Sequence, residues 1–132
     1  MSNKIYAKEW LQFAYKNLDT AQKLYDLDHY TDIIGVELQQ ALEKMIKAYF
    51  AYHNIKIPKT HKLLELIAYL DDLDFNDHEL TLLETATNYY RVDRYPNPNY
   101  VLPTKSEIKN LLEFTNELFQ KICHDLKIKI IF

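Results

Sequence analysis

Between Asn88 and Tyr100 the chain reads NYYRVDRYPNPNY, thirteen positions holding two arginines, four tyrosines and two prolines. Arginine forks pair bidentately with phosphate or carboxylate, and tyrosine rings offer stacking faces with a hydroxyl at one end. Arg91 and Arg94 are three apart, so a helix that persists to Arg94 carries both on one face. With Tyr90 and Tyr95 beside them they suit a ligand that bears both a base and a phosphate. The competing reading is structural: the arginines bond the helix's last carbonyls and the tyrosines pack beneath a proline-stiffened loop.

A second set, Glu37, Gln40, Glu43, Lys44 and Lys47, recurs at three-and-four spacing and lines the polar side of one helix. Glu-to-Lys pairs across a turn contribute about 0.2–0.5 kcal/mol each. Lys44 and Lys47 become ligand-binding residues only if that face looks into a groove. Asp71, Asp72, Asp74 and Asp77 crowd one polar connection, where repulsion between like charges favours exposure.

Standard catalytic signatures are absent: the chain has no HExxH, no glycine-rich phosphate loop, no Cys-x-x-Cys and no GxSxG. The five histidines are scattered, and the one cysteine, Cys123, can form neither an internal disulfide nor a cysteine-based zinc site. Neither a metal nor a cofactor is expected. A net charge of −3 excludes a generally basic nucleic-acid binder, so any such contact needs a local cationic patch. MSNKIYAKEWLQFAY has no apolar run before its first charges, and no window reaches the ~18 apolar residues of a membrane span. These features point to a cytoplasmic protein with no membrane partner.

The elements that must position these residues are helices. One glycine, Gly35, in 132 residues leaves too few positions for the tight turns of a sheet protein, and apolar residues recur at helical spacing. Trp10, Phe13, Ala14, Leu18, Ala21, Leu24 and Tyr25 predict a helix over about 7–27. After DHYT, Ile34 to Phe50 form a second helix whose broad apolar face marks it as the most central. Pro58 closes that stretch, and Thr60 is placed to cap a short third helix around Leu63–Leu70. Asn76 and Glu79 resemble a capping box for a fourth helix, and Thr104 with Glu107 for a last one ending near Ile122. The terminal LKIKIIF alternates like a strand without a partner strand, and reads as a frayed helical end or an interface segment. One domain over 1–132 follows, an all-α antiparallel up-and-down bundle of four long helices and one short helix.

The order of motifs resembles the HEPN domain, a nucleotide-binding domain of higher eukaryotes and prokaryotes. The resemblance covers residues 9 to about 120 and is most specific in LQQALEKMIKAY (38–49), PKTHKL (58–63) and YRVDRYP (90–96). It implies a helical bundle that dimerises, and a separate minimal nucleotidyltransferase as partner, in pairs that can act as toxin and antitoxin. It also implies that the arginine-tyrosine stretch is the family's polar site, where an ATP- or GTP-class nucleotide would bind. Many HEPN domains are metal-independent RNases with an arginine, four to six residues, then a histidine. Here the positions where that histidine would stand are Pro96, Asn97 and Pro98 after Arg91, and Asn99, Tyr100 and Val101 after Arg94. Binding of a nucleotide or a nucleotidyltransferase is therefore the leading expectation. RNA cleavage, with a histidine such as His61 supplied from elsewhere, is the alternative. Eleven tyrosines, Trp10 and the apolar terminus add an expectation of a two-fold homodimer.

Overall fold

The computed structural model describes residues 3–94 and 97–130, with Asp93 and Arg94 described in backbone only. Five helices follow in order: α1 (Lys4–Asp26), α2 (Thr31–Tyr52), the short α3 (Leu63–Ile67), α4 (Asp77–Arg94) and α5 (Lys105–Asp125). No strand occurs among the described residues, so the expected all-α bundle of four long helices and one short helix is the observed class. Contacts between α1 and α2 run in opposite chain directions. Asn3 meets Tyr52, Trp10 meets Lys47, and Asn17 meets Lys44 and Glu37.

The central position of α2 is also observed, since α2 packs against all four other helices. Leu38, Ala41, Leu42, Met45, Ile46 and Phe50 are fully buried along it. A helix enclosed on so many sides has little polar surface left, and Gln39 and Glu43 are buried too, at 0% and 4% exposure. The sequence places Glu43 on the polar side. The structure covers it because the connection from α2 to α3 folds back, with Gln39 Nε2 donating to the His61 carbonyl at 3.1 Å.

Helices α1, α2 and α5 end alike. Asp28, Asn54 and Lys127 take left-handed backbone conformations, with φ of 55°, 56° and 54°. The next amide in each case returns to a carbonyl five residues back: His29 to Leu24, Ile55 to Phe50 and Ile128 to Cys123, at 2.8–2.9 Å. This is the Schellman closure, built without the glycine that usually supplies it. Gly35 serves packing instead. A Cβ added there would stand 2.6 Å from Cδ2 of the buried Tyr89, so glycine is what lets α4 approach α2 at that point.

The Asn76–Glu79 capping box forms in both directions, at 3.0 and 2.8 Å. Thr104 accepts from the Glu107 amide at 3.1 Å, while the Glu107 carboxylate faces the Tyr89 hydroxyl at 3.5 Å. Thr60 does not cap α3 directly. Its hydroxyl accepts from the Lys62 amide at 3.1 Å and donates to Glu65 at 2.7 Å, which orders the turn one step before the helix starts at Leu63. Helix α1 begins earlier than its apolar spacing predicts because Asn3 caps it, accepting from the Tyr6 amide at 3.4 Å. Beyond α5, residues 127–130 are irregular, with Ile128 buried, and the final two residues of LKIKIIF lie outside the described residues.

Candidate functional site

A polar cluster forms around the buried carboxylate of Glu43. Its Oε2 accepts from Lys47 Nζ at 2.8 Å, and its Oε1 accepts from Gln39 Nε2 at 3.1 Å and meets His61 Nδ1 at 2.9 Å. Burial opposes ionisation of this carboxyl, but the hydrogen bonds from Lys47, His61 and Gln39 outweigh it and hold the group below the ordinary 4.5. An ionised carboxylate can only accept, so the hydrogen in the His61 contact belongs to Nδ1. Neutral His61 is thereby fixed as the Nδ1–H tautomer, and Nε2 keeps its lone pair. The His61 side chain is 54% exposed, which leaves the imidazole within reach of a ligand.

Rings flank this cluster on both sides. The Tyr90 ring lies against the His61 imidazole, with centroids 4.8 Å apart and a tilt of 36°. On the other side Lys47 Nζ stands 5.4 Å from the centre of the Trp10 ring, a cation–π distance. Trp10 in turn meets Phe13 edge-on at 6.4 Å, and Phe13 is half exposed. Phe13, Trp10, Lys47, Glu43, His61 and Tyr90 thus form one continuous line across α1, α2, the turn before α3, and α4. Aromatic faces stand at its ends and charge at its middle.

Of the sequence candidates, Lys47 and Tyr90 belong to this line. Lys44 has a different role: its ammonium donates to Asn17 Oδ1 at 2.7 Å, and Asn17 Nδ2 donates to Glu37 at 2.9 Å, so it ties α1 to α2. Arg91 lines a neighbouring cleft of about 220 Å³ between α3 and α4, together with Lys62, Asn88, Glu65 and Glu84. Two cations and two carboxylates balance there, so Arg91 is placed as a donor without a net positive field around it. The cleft and the cluster are pinned side by side by Thr87, whose Oγ1 accepts from the Leu63 amide at 3.1 Å. Helix α4 does reach Arg94, but the Arg94 side chain and Tyr95 lie outside the described residues.

Glu43 and His61, which join Lys47 to Tyr90, were not among the binding residues picked from the sequence. One signal was available: Gln39 and Glu43 stand four apart, directly after Leu38 and Leu42, on a helix whose apolar face already takes most of its circumference. Among the described residues no group of three or more His, Cys, Asp or Glu side chains is arranged to hold a metal ion, and no helix is long and apolar enough to cross a membrane. The assembled groups can stack on planar rings, donate to an anion from Lys47, and accept a proton at His61 Nε2.

The HEPN domain family matches residues 7–126 of this chain. Among solved structures, TT1696 from Thermus thermophilus is similar, with 24% sequence identity and a TM-score of 0.70 over 88% of this chain and 94% of that one. ST0689, described as an archaeal HEPN homologue, is 17% identical with a TM-score of 0.69, over 91% of this chain and 97% of its own. At these identities the two structures show a shared fold. No curated protein is similar enough in sequence to match the chain.

Proposed function

The chain belongs to the HEPN domain family, and on that premise we propose that it is a binding module for an ATP- or GTP-class nucleotide or for a nucleotide-bearing protein. The observation that carries this reading is the line from Trp10 through Lys47, Glu43 and His61 to Tyr90, which puts a ring face at each end of a Lys–Glu–His cluster. A base stacks on such rings and a phosphate pairs with the cation. Arg91 supplies a second donor from the adjacent cleft, and Arg94 and Tyr95 follow it in sequence.

Calorimetric titration with ATP, GTP and their non-hydrolysable analogues tests the reading. Lys47→Ala and Tyr90→Ala are each expected to weaken binding about tenfold, a loss of about 1.4 kcal/mol. Equal affinity in both variants and wild type would remove the site. The family context favours a separate minimal nucleotidyltransferase as the partner, in a two-component toxin–antitoxin arrangement. Affinity capture from the native cell with mass spectrometry checks that partner by name.

One observation favours a second reading, a metal-independent RNase. The Glu43–His61 pair supplies an oriented imidazole of the kind the missing arginine-to-histidine motif would otherwise provide. RNA cleavage in EDTA, abolished by His61→Asn, is its signature. No cleavage above a mock preparation would dismiss it. Either reading accommodates a homodimer, for which sedimentation should give a mass of about 32 kDa, twice the 15.8 kDa of one chain.

A further inference from the structure

On the side of α1 turned away from Trp10 and Phe13, a groove of about 630 Å³ opens between α1, α5 and the chain that follows α5. That volume falls within the ~300–1,000 Å³ of sites that hold small molecules. Its floor is apolar and packed. Leu18, Phe119 and Ile128 are 4%, 5% and 7% exposed, and the Tyr15 ring tilts against Phe119 at 6.1 Å. The third wall follows from how α5 ends: the left-handed Lys127 and the bond from the Ile128 amide to the Cys123 carbonyl turn residues 127–130 along the groove.

Part of the charge and hydrogen-bonding capacity at the rim is unspent. The carboxylate at this groove, Asp19, is already paired with Lys23 at 2.8 Å. Lys127 and Lys129 also line it, and neither is in an ion pair among the described residues. Asn116 and Gln120 stand one helical turn apart on α5, with side-chain amides that bond to nothing among the described residues. The half-buried Tyr15 ring over an apolar floor, two free amides and two uncompensated ammonium groups therefore converge on one space.

We propose that this groove is a second binding site, for a planar aromatic small molecule that carries a sulfonate, carboxylate or phosphate. The ring of such a molecule lies against Tyr15 and the apolar floor, its heteroatoms bond the Asn116 and Gln120 amides, and its anion pairs with Lys127 and Lys129. The site is independent of the Glu43 cluster, because residues 15, 18, 19 and 22 project from the side of α1 opposite to residues 10, 13 and 17.

The probe is 8-anilinonaphthalene-1-sulfonate, an aromatic sulfonate with a planar naphthalene ring whose emission rises on binding. Wild type should bind it saturably at a single site. The Lys127→Glu/Lys129→Glu variant alters only exposed side chains, and its fold is checked by its melting curve. It should bind the probe at least about tenfold more weakly, while Lys47→Ala binds it like wild type. Cys123, the chain's one cysteine, lines the groove and gives a second readout. Burial pushes its thiol up to about 11, so it alkylates slowly with iodoacetamide, and bound probe should slow it several-fold further. Unsaturable emission, unchanged affinity in the double lysine variant, or a Cys123 alkylation rate indifferent to the probe would each overturn the assignment.

Discussion

Glu43 Oε1 and His61 Nδ1 stand 2.9 Å apart, a contact that fastens the turn before α3 onto the middle of α2. Because the folded-state pKa of Glu43 is depressed, its contribution to stability is fully present above the ordinary 4.5 and is lost as pH falls through the lower folded value. Urea denaturation from pH 7 down to about pH 3 should show wild type losing stability over the lower part of that range, with Glu43→Gln losing less. At pH 7 the variant should already be less stable by about 2 kcal/mol, since it leaves Lys47 without its counter-charge in a setting where little of the side chain reaches solvent. Parallel pH profiles for the two proteins would show that Glu43 does not set the acid limb.

Gly35→Ala poses a contest between two effects. Alanine favours the helix by about 1 kcal/mol, but its Cβ would stand 2.6 Å from Cδ2 and 2.9 Å from Cγ of Tyr89. Tyr89 is 8% exposed, so its ring has little space to yield, and overpacking of this kind costs about 1–3 kcal/mol. The variant should come out destabilised in urea titration by about 1 kcal/mol. A more stable Gly35→Ala protein would mean that α4 is free to shift away from α2.

Thr87 is 7% exposed, donates to the Leu83 carbonyl at 3.1 Å and accepts from the Leu63 amide at 3.1 Å. Valine keeps the shape and removes both bonds, leaving the first amide of α3 buried without a partner at a cost of about 1–3 kcal/mol. Thr87→Val should therefore lower the melting temperature and speed hydrogen exchange at the Leu63 amide more than at Leu83. Exchange unchanged at Leu63 would mean that another group anchors α3.

Local signals carried the helices. Pro58 excludes helix continuation, the Asn76–Glu79 spacing names a helix start, and the apolar repeat on 34–50 identifies the central helix, all through interactions within a few residues of chain. The site was legible only in part, because its geometry is tertiary. Lys47 and Tyr90 were recognisable as chemical types, but nothing near residue 43 in sequence says that His61 folds over it. Arg91 was visible as a donor, whereas the balancing carboxylates of Glu65 and Glu84 appear only once α3 packs on α4. The same holds for the end of α5, where Lys127 takes a left-handed conformation that residue type alone would assign to glycine or asparagine.

Trp10, the chain's one tryptophan, offers a direct reading of the proposed site. Lys47 Nζ lies 5.4 Å from its ring centre while bonded to Glu43 at 2.8 Å, so a phosphate that draws on this ammonium changes the field at the indole. ATP should alter Trp10 emission saturably, with an affinity that falls as salt is raised, because the pairing is ionic and partly screened. Lys47→Met removes the charge and keeps most of the apolar stem over the ring; it should abolish the emission change and weaken binding about tenfold. Lys47→Arg keeps a cation near both Glu43 and Trp10 and should retain most of the response. Tyr90→Leu separates the two parts of the ligand, since it should weaken binding while leaving the salt dependence intact. If Lys47→Met gives the wild-type titration curve, the nucleotide, should it bind, does so away from the Trp10–Lys47 face.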